Sequence, residues 1–258
     1  MLSTAQKQQL EEQGYLVLEA YMGDQLLRAV SERIDELFAL EGEQAGSEFL
    51  PEPGARRLAN CVDKGEVFER CLVLPEILEG TAVVLGPRFK LSSLNVRSAN
   101  PWTEEAQPLH ADMGAVPDEQ GYWVSNTVWM IDAFTAENGA LRIIPGSHKF
   151  GRLPQEVLAD PRAPHPDEVL VTGPAGTVVI TNAHCWHGGT ANRTGQPRRA
   201  MHSFFCRYDK PQQQWQKKLL RPETQARLSP QLRALLALDD EENDRLSSAD
   251  VVRSGFLK

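Results

Sequence analysis

The apolar positions run with a helical period, then a strand period, then a helical period again. In the opening segment Ser3 and Gln6 stand three apart, as in a capping box, and Gly14 follows as a helix stop. Tyr15-Leu16-Val17-Leu18 reads as a short strand. A second helix carries Leu27, Val30, Ile34, Leu37 and Phe38 at three-to-four spacing, with Asp24 placed to cap it and Gly42 past its end. A single apolar stripe on a polar helix is a packing face, so this segment is expected to buttress the fold without carrying chemistry. Residues 43–58, with Gly46, Pro51, Pro53 and Gly54, form a polar stretch expected to be an ordered loop or a mobile lid. A short helix is expected near Pro75–Gly80.

The middle of the chain changes period. Leu91–Ala99, Trp123–Phe134, Leu141–Ile144, Glu168–Thr172, Thr177–Thr181 and Arg199–Tyr208 are short runs rich in Val, Ile, Phe, Trp and Thr. Turn residues such as Asn138-Gly139, Pro145-Gly146 and Gly188-Gly189 separate them. Many short strands without βαβ alternation predict a mainly β sandwich or barrel. From Gln212 the pattern returns to helix, with Leu232, Leu235, Leu236 and Leu238 as an apolar patch and Asp239–Glu242 as a solvated acidic run.

Length and charge narrow the function classes. At 258 residues and 41% apolar composition the chain can bury a sizeable core unaided. The 27 basic residues against 35 acidic ones, net −8, argue against a nucleic-acid or anionic-membrane partner. No apolar run approaches the ~20 residues of a membrane span, and Met1 is not followed by a signal-like segment. Cys61, Cys71, Cys185 and Cys206 form no CxxC pair, so they are expected as free thiols in a reducing, cytoplasmic setting.

The candidate chemistry lies with the histidines. His110 and Asp112 stand two apart, which on a strand puts both side chains on one face about 6.5 Å apart. His187 lies 75 residues beyond Asp112. Two imidazoles and a carboxylate form the facial triad that suits non-haem Fe(II) and leaves coordination positions open. His-x-Asp alone is a weak signal, and its surroundings supply the specificity. Arg198, eleven residues after His187, opens the next strand, where a guanidinium can clamp a carboxylate through two parallel hydrogen bonds. 2-Oxoglutarate, whose oxo-acid end chelates iron, needs such a cation for its distal carboxylate.

The segments LHADMG, WMIDAFTAENGALRIIPGSHKFG, GPAGTVVITNAHCWHGGTANRTGQPRRA and QGYLVLEAYMGDQLLRAVSERIDEL carry a resemblance. In that ordered combination the sequence resembles the phytanoyl-CoA dioxygenase family of Fe(II)/2-oxoglutarate oxygenases. The resemblance implies a double-stranded β-helix, the cupin-like jelly roll, with flanking helices. It implies one domain over 1–258: a helical N-terminal buttress, a jelly-roll core at about 91–208 and a helical tail. The implied cofactors are Fe(II), 2-oxoglutarate and O2. By position, His110, Asp112 and His187 match the iron ligands, Arg198 the 2-oxoglutarate anchor, and Trp129 an aromatic lining the co-substrate pocket. Many relatives have serine where this chain has Gly189, so a co-substrate hydrogen bond is missing or falls to Thr127 or Thr190. The implied reaction hydroxylates an unactivated C–H of a small molecule and releases succinate and CO2. Relatives that install chlorine have a small residue where this chain has Asp112, which points to hydroxylation here.

The remaining candidates each carry two readings. His184, three residues before His187, is the weaker ligand candidate because the Gly-Gly and the reach to Arg198 belong to His187. Arg199 is expected on the opposite face from Arg198, and His148 is expected to fix its turn. His202 shares parity with Arg198, so it is a substrate-contact candidate or a core histidine. Arg97 is a candidate for an anionic substrate or the partner of an acid at the barrel rim. Two other functions compete: a non-catalytic, cupin-like metal- or ligand-binding protein, and a zinc hydrolase. A pure binder needs neither an open iron face nor a 2-oxo-acid clamp. A hydrolase would lack a general-base Glu near His110 and leave Arg198 without a role.

Overall fold

Ser3 starts the first helix, α1 (Thr4–Gln13), by a complete capping box. Its hydroxyl accepts from Gln6 N at 3.3 Å, and the Gln6 side chain accepts from Ser3 N at 2.8 Å. Gly14 ends α1 at φ 78°, with its N–H on the Leu10 carbonyl at 2.9 Å. Strand β1 (Tyr15–Leu18) and helix α2 (Gly23–Glu41) follow. Asp24 falls in the first turn of α2, which has no side-chain cap, so its contribution is charge at the helix N-terminus. Val30, Ile34 and Leu37 are buried as the stripe requires. Helix α3 (Glu66–Leu72), absent from the sequence reading, precedes α4 (Pro75–Leu85), which Pro75 opens where a missing N–H costs nothing. The computed structural model describes residues 1–103 and 106–248; the last ten residues of the expected tail lie outside them.

Every expected apolar run contains a strand: β3 (Phe89–Ala99), β4 (Val124–Met130), β5 (Leu141–Ile143), β6 (Val169–Val171), β7 (Val178–Asn182) and β9 (Arg198–Arg207). Two short ones were not expected, β2 (Ala55–Leu58) and β8 (His187–Gly189). β2 lies inside the stretch read as a loop, and as an edge strand it tolerates Arg56 and Arg57. The strands form two antiparallel sheets, β1-β7-β4-β9-β3-β2 and β6-β5-β8. They pack face to face without closing into a barrel.

Alternation divides the large sheet into two faces. Trp129, Met201, Phe205 and Ile180 join the core beneath the helices, with Ile34 and Leu72. Val128, Met130, Val179 and Ala200 face the other way, against Leu141 and Ile143 of the small sheet. The tail helices α5 (Gln216–Leu219), α6 (Pro222–Arg227), α7 (Pro230–Leu235) and α8 (Glu241–Ser248) follow β9. Leu232, Leu235, Leu236 and Leu238 are buried in the helix-side core, and Asp239–Glu242 is exposed. No described helix is long and apolar enough to cross a membrane.

The end of α1 is locked onto the segment that leads into β8. The Gly14 carbonyl accepts from Asn182 N and the Gln13 carbonyl from Gly146 N, both at 2.8 Å. A Cβ on Gly14 would stand 2.2 Å from Cys185 Sγ and 2.5 Å from His148 Nδ1. Gly14→Ala adds a left-handed alanine to an overpacked contact, at a combined cost of about 2–5 kcal/mol. The urea unfolding midpoint should fall accordingly, and an unchanged midpoint would show that this junction is loose.

Candidate active site

His110 and His187 are bound to each other through their backbones. The N–H of each donates to the carbonyl of the other at 2.9 Å, an isolated antiparallel bridge that extends the small sheet. Asp112 does not continue that strand as expected. It opens a 3-10 turn over Asp112–Gly114, with Met113 at φ 56°, and its N–H donates to the Ala183 carbonyl at 2.9 Å. The turn carries the carboxylate between the imidazoles: Asp112 Oδ1 lies 3.7 Å from His110 Nε2 and 3.6 Å from His187 Nε2. One ligand atom from each residue lies within 4.8 Å of the other two.

Backbone carbonyls choose the tautomers. His110 Nδ1 lies 2.9 Å from the Pro108 carbonyl and His187 Nδ1 lies 2.8 Å from that of Cys185. Each Nδ1 therefore carries the proton and leaves the Nε2 lone pair toward Asp112, the arrangement of metal-binding histidines. Burial, helped by His187, pulls the His110 pKa down to about 4, so its ring is neutral near pH 7. Burial pushes the Asp112 carboxyl up, but both imidazoles and Asn126 outweigh it and hold it below its ordinary value.

Asn126, on β4, was missed by the sequence reading. Its Nδ2 donates to Asp112 Oδ2 at 3.0 Å, which fixes one carboxylate oxygen and leaves Oδ1 to face the imidazoles. The available signal was an amide in the middle of a strand buried along its whole length.

These residues line a cavity of about 440 Å³ that Arg198 also lines. The Arg198 guanidinium donates from Nη2 to the Gly139 carbonyl at 2.7 Å and lies 4.1 Å from the centre of the Phe134 ring. Its Nε is buried without a partner, and no carboxylate pairs with it among the described residues. Burial pulls its pKa down to about 9, which leaves it charged near neutral pH. A buried, uncompensated cation is costly unless a ligand supplies the anion. Arg199 points to the other face and pairs with Asp132 and Asp35.

Two expected co-substrate residues face away from the cavity. Trp129 is fully buried in the helix-side core and donates from Nε1 to Ser203 Oγ at 2.9 Å. Thr127 is also fully buried, has the same parity on β4 and stands opposite Ser203. Thr190, the other proposed donor, gives its hydroxyl to the Ala140 carbonyl. At Gly189 the structure places Gln107 instead: Gly189 N donates to Gln107 Oε1 at 2.9 Å. A Cβ at 189 would stand 3.0 Å from that oxygen, so the glycine gives the glutamine its room.

Gln107 continues into a charged cluster. Its Nε2 donates to Glu52 Oε1 at 2.9 Å, and Glu52 also pairs with Arg97 and Arg57. Burial raises the Glu52 pKa, but the two arginines bring it down to about 2. Arg97 thus has the acidic partner that was one of its two readings, and it still lines the cavity. His202 lines the cavity half-buried; burial and Arg57 pull its pKa down to about 3. His184 stands outside, with Nδ1 at 2.9 Å from Asn182 Oδ1 and its ring against Tyr122 and Trp123. His148 donates from Nε2 to the Glu11 carbonyl and accepts from Cys185 Sγ at 3.3 Å, so it fixes its turn to α1.

The convergent triad and the lone buried guanidinium line one cavity. Residues 10–200 match the family described as phytanoyl-CoA dioxygenase (PhyH). The chain belongs to the phytanoyl-CoA dioxygenase family, a family of Fe(II)/2-oxoglutarate oxygenases that also consume O2. The chain is similar to the dioxygenase af480 of Aspergillus fumigatus, 32% identical over 196 residues, which cover 73% of this chain and 60% of that protein. It therefore spans less than two thirds of that relative's length. The L-proline trans-4-hydroxylase of Streptomyces griseoviridis is 26% identical, with 72% and 79% covered. Among solved structures, EctD from S. alaskensis with 2-oxoglutarate and 5-hydroxyectoine superposes with a TM-score of 0.67 at 21% identity, covering 80% of this chain and 76% of that one. HygX from Streptomyces hygroscopicus with nickel, 2-oxoglutarate and hygromycin B gives 0.66 at 15% identity, covering 82% and 90%. The likeness to these solved structures shows the fold of this chain, a jelly roll with flanking helices.

Within the family frame, Asn126 acts through Asp112. Asn126→Ala should weaken binding of Co(II), a spectroscopic stand-in for Fe(II), by about 10- to 100-fold. An unchanged Co(II) affinity in Asn126→Ala would show that the hydrogen bond to Asp112 is irrelevant. Metal titration followed by visible absorption decides it.

Proposed function

We propose that the protein is an Fe(II)- and 2-oxoglutarate-dependent dioxygenase that hydroxylates an unactivated C–H bond of a small molecule. One 2-oxoglutarate, one O2 and one substrate give succinate, CO2 and the alcohol. The observation that carries this reading is the pairing, in one cavity, of three convergent N and O donors with a buried guanidinium lacking an anion. The donors fit Fe(II): two imidazoles and a carboxylate, each already oriented by a hydrogen bond.

In this reading His110, Asp112 and His187 hold the iron, which when bound supplies the oxygen chemistry. Arg198 takes the distal carboxylate of 2-oxoglutarate, with Phe134 supporting one face of the guanidinium. The backbone of Gly139 leaves the buried Nε–H for the incoming anion. Val128, Phe134 and Leu141 make the walls around this end apolar and exclude water. His202, kept neutral, is a hydrogen-bonding group for substrate. The chain works as one domain, because strands from both halves build the large sheet. The four free, buried cysteines support the cytoplasmic setting, and the acidic surface supports a small-molecule partner.

About one metal should bind per chain in anaerobic equilibrium dialysis. His187→Ala should lose it and His184→Gln should keep it; the reverse pattern would reassign the ligand.

Arg198→Ala should raise the apparent KM for 2-oxoglutarate by about 30-fold to several-thousand-fold, the equivalent of losing ~2–5 kcal/mol in a buried charge pair. Arg198→Lys should restore only part of this, since lysine lacks the planar fork. Succinate release measured against 2-oxoglutarate concentration checks this. An unchanged saturation curve would place the clamp elsewhere, and a protein that loads metal and 2-oxoglutarate but never releases succinate would be a binder.

A further inference from the structure

Arg97 and Arg57 stand directly opposite each other across β3 and β2. Like charges at such a position repel, and Glu52 holds them together. Glu52 Oε1 accepts from Arg97 Nε at 3.0 Å, Arg97 Nη2 at 2.8 Å and Gln107 Nε2 at 2.9 Å. Its Oε2 accepts from Arg57 Nε at 2.8 Å and lies 2.5 Å from Arg57 Nη2. The carboxylate's accepting capacity is used up, so Glu52 has nothing left for a cationic ligand.

Arg97 is in the opposite position. It spends Nε and one Nη2 donor on a single oxygen, and its Nη1 amino group has no partner among the described residues. Its side chain is 12% exposed and lines the cavity. Two residues along the same strand, Asn95 faces the same cavity directly opposite His202. Asn95 Oδ1 accepts from Asn60 N at 3.1 Å, which leaves its Nδ2 without a partner among the described residues. The wall between Arg97 and the triad therefore offers unspent N–H donors.

We infer that the substrate is a small free carboxylic acid whose carboxylate is taken by the open Nη1 edge of Arg97, with Asn95 and His202 contacting the chain between that carboxylate and the metal. This rests on the dioxygenase reading above. The carboxylate belongs to the substrate because 2-oxoglutarate already has Arg198 for one end and the metal for the other. It is a free acid of amino-acid size because 2-oxoglutarate takes part of the 440 Å³, and a thioester would present Arg97 with a neutral carbonyl.

The test uses the full chain loaded with Ni(II) and 2-oxoglutarate, which blocks turnover. Binding of one 2-oxoglutarate per chain is measured first; failure there rejects the dioxygenase reading and not this one. The loaded protein is then titrated calorimetrically with matched pairs: L-proline and L-prolinamide, benzoate and benzamide, hexanoate and hexanamide. At least one acid should bind about tenfold or more tighter than its amide. Arg97→Gln should weaken that acid by about 10- to 150-fold, the size of a charge-assisted hydrogen bond. It should weaken 2-oxoglutarate far less, by the loss of Arg97's charge beside Arg198 alone. Arg97→Lys should recover part of the loss. Glu52→Gln, which removes the competing carboxylate, should tighten acid binding, a result that a purely structural ion pair would not give and that keeps the test decisive if Arg97→Gln does not fold. The inference is overturned if acids bind no better than amides or not at all, if hexanoyl-CoA outcompetes hexanoate, or if Glu52→Gln weakens acids. It is also overturned if Arg97→Gln weakens 2-oxoglutarate as much as the acid.

Discussion

The two hydrogen bonds between the backbones of His110 and His187 are the constraint on which the site depends. They join segments far apart in the chain at one register, and a slip by one residue would turn an imidazole to the wrong face. Everything nearby holds that register. The Cys185 and Pro108 carbonyls set the tautomers, Ala183 receives the Asp112 N–H, and the end of α1 is packed against Cys185 through a glycine with no room for a Cβ. The N-terminal helix is thus a buttress in the literal sense, reaching the strand of His187 through Gly14, Asn182 and His148.

The cavity is built from charges that the folded chain leaves partly uncompensated. Arg198 is buried over Phe134 with an orphaned Nε, and Asp112 is a carboxylate held between two imidazoles. Such buried charges cost stability on their own, and a ligand of the right charge recovers it, so ligand binding there is coupled to stability. By contrast, Glu52, Arg57, Arg97 and Gln107 nearly satisfy one another. Arg198 is left without an anion, while the neighbouring Glu52 cluster carries its own and keeps a single edge of Arg97 open.

The period of the apolar residues determined the helical entry, the order of the short strands and the helical tail, because burial of one face leaves a repeat that can be counted. The His-x-Asp, His-Gly-Gly and distant Arg motifs marked the residues that the fold brings into one cavity. Which way Trp129 and Thr127 point was not legible. β4 is buried on both faces, so polar and apolar residues do not alternate along it and parity has no anchor in the sequence. The same burial hid Asn126, a polar residue whose partner sits in a turn outside its own sheet.

Only the tertiary structure decided the rest, and the reasons are geometric. Asp112 was expected to reach the histidines along a strand, but a left-handed Met113 and a tight turn bring it there. Glu52 and Arg97 are 45 residues apart, in a segment that reads as a loop and a strand that reads as core, and no local pattern announces their pairing. Gly189 looked like a lost hydrogen bond until the fold placed Gln107 against it. Residue identity and period are properties of the chain, so the sequence alone determined the fold class and marked His110, Asp112, His187 and Arg198 as candidates. Facing, pairing and the satisfaction of buried donors depend on residues distant in sequence that meet at fixed register, and those belonged to the folded structure.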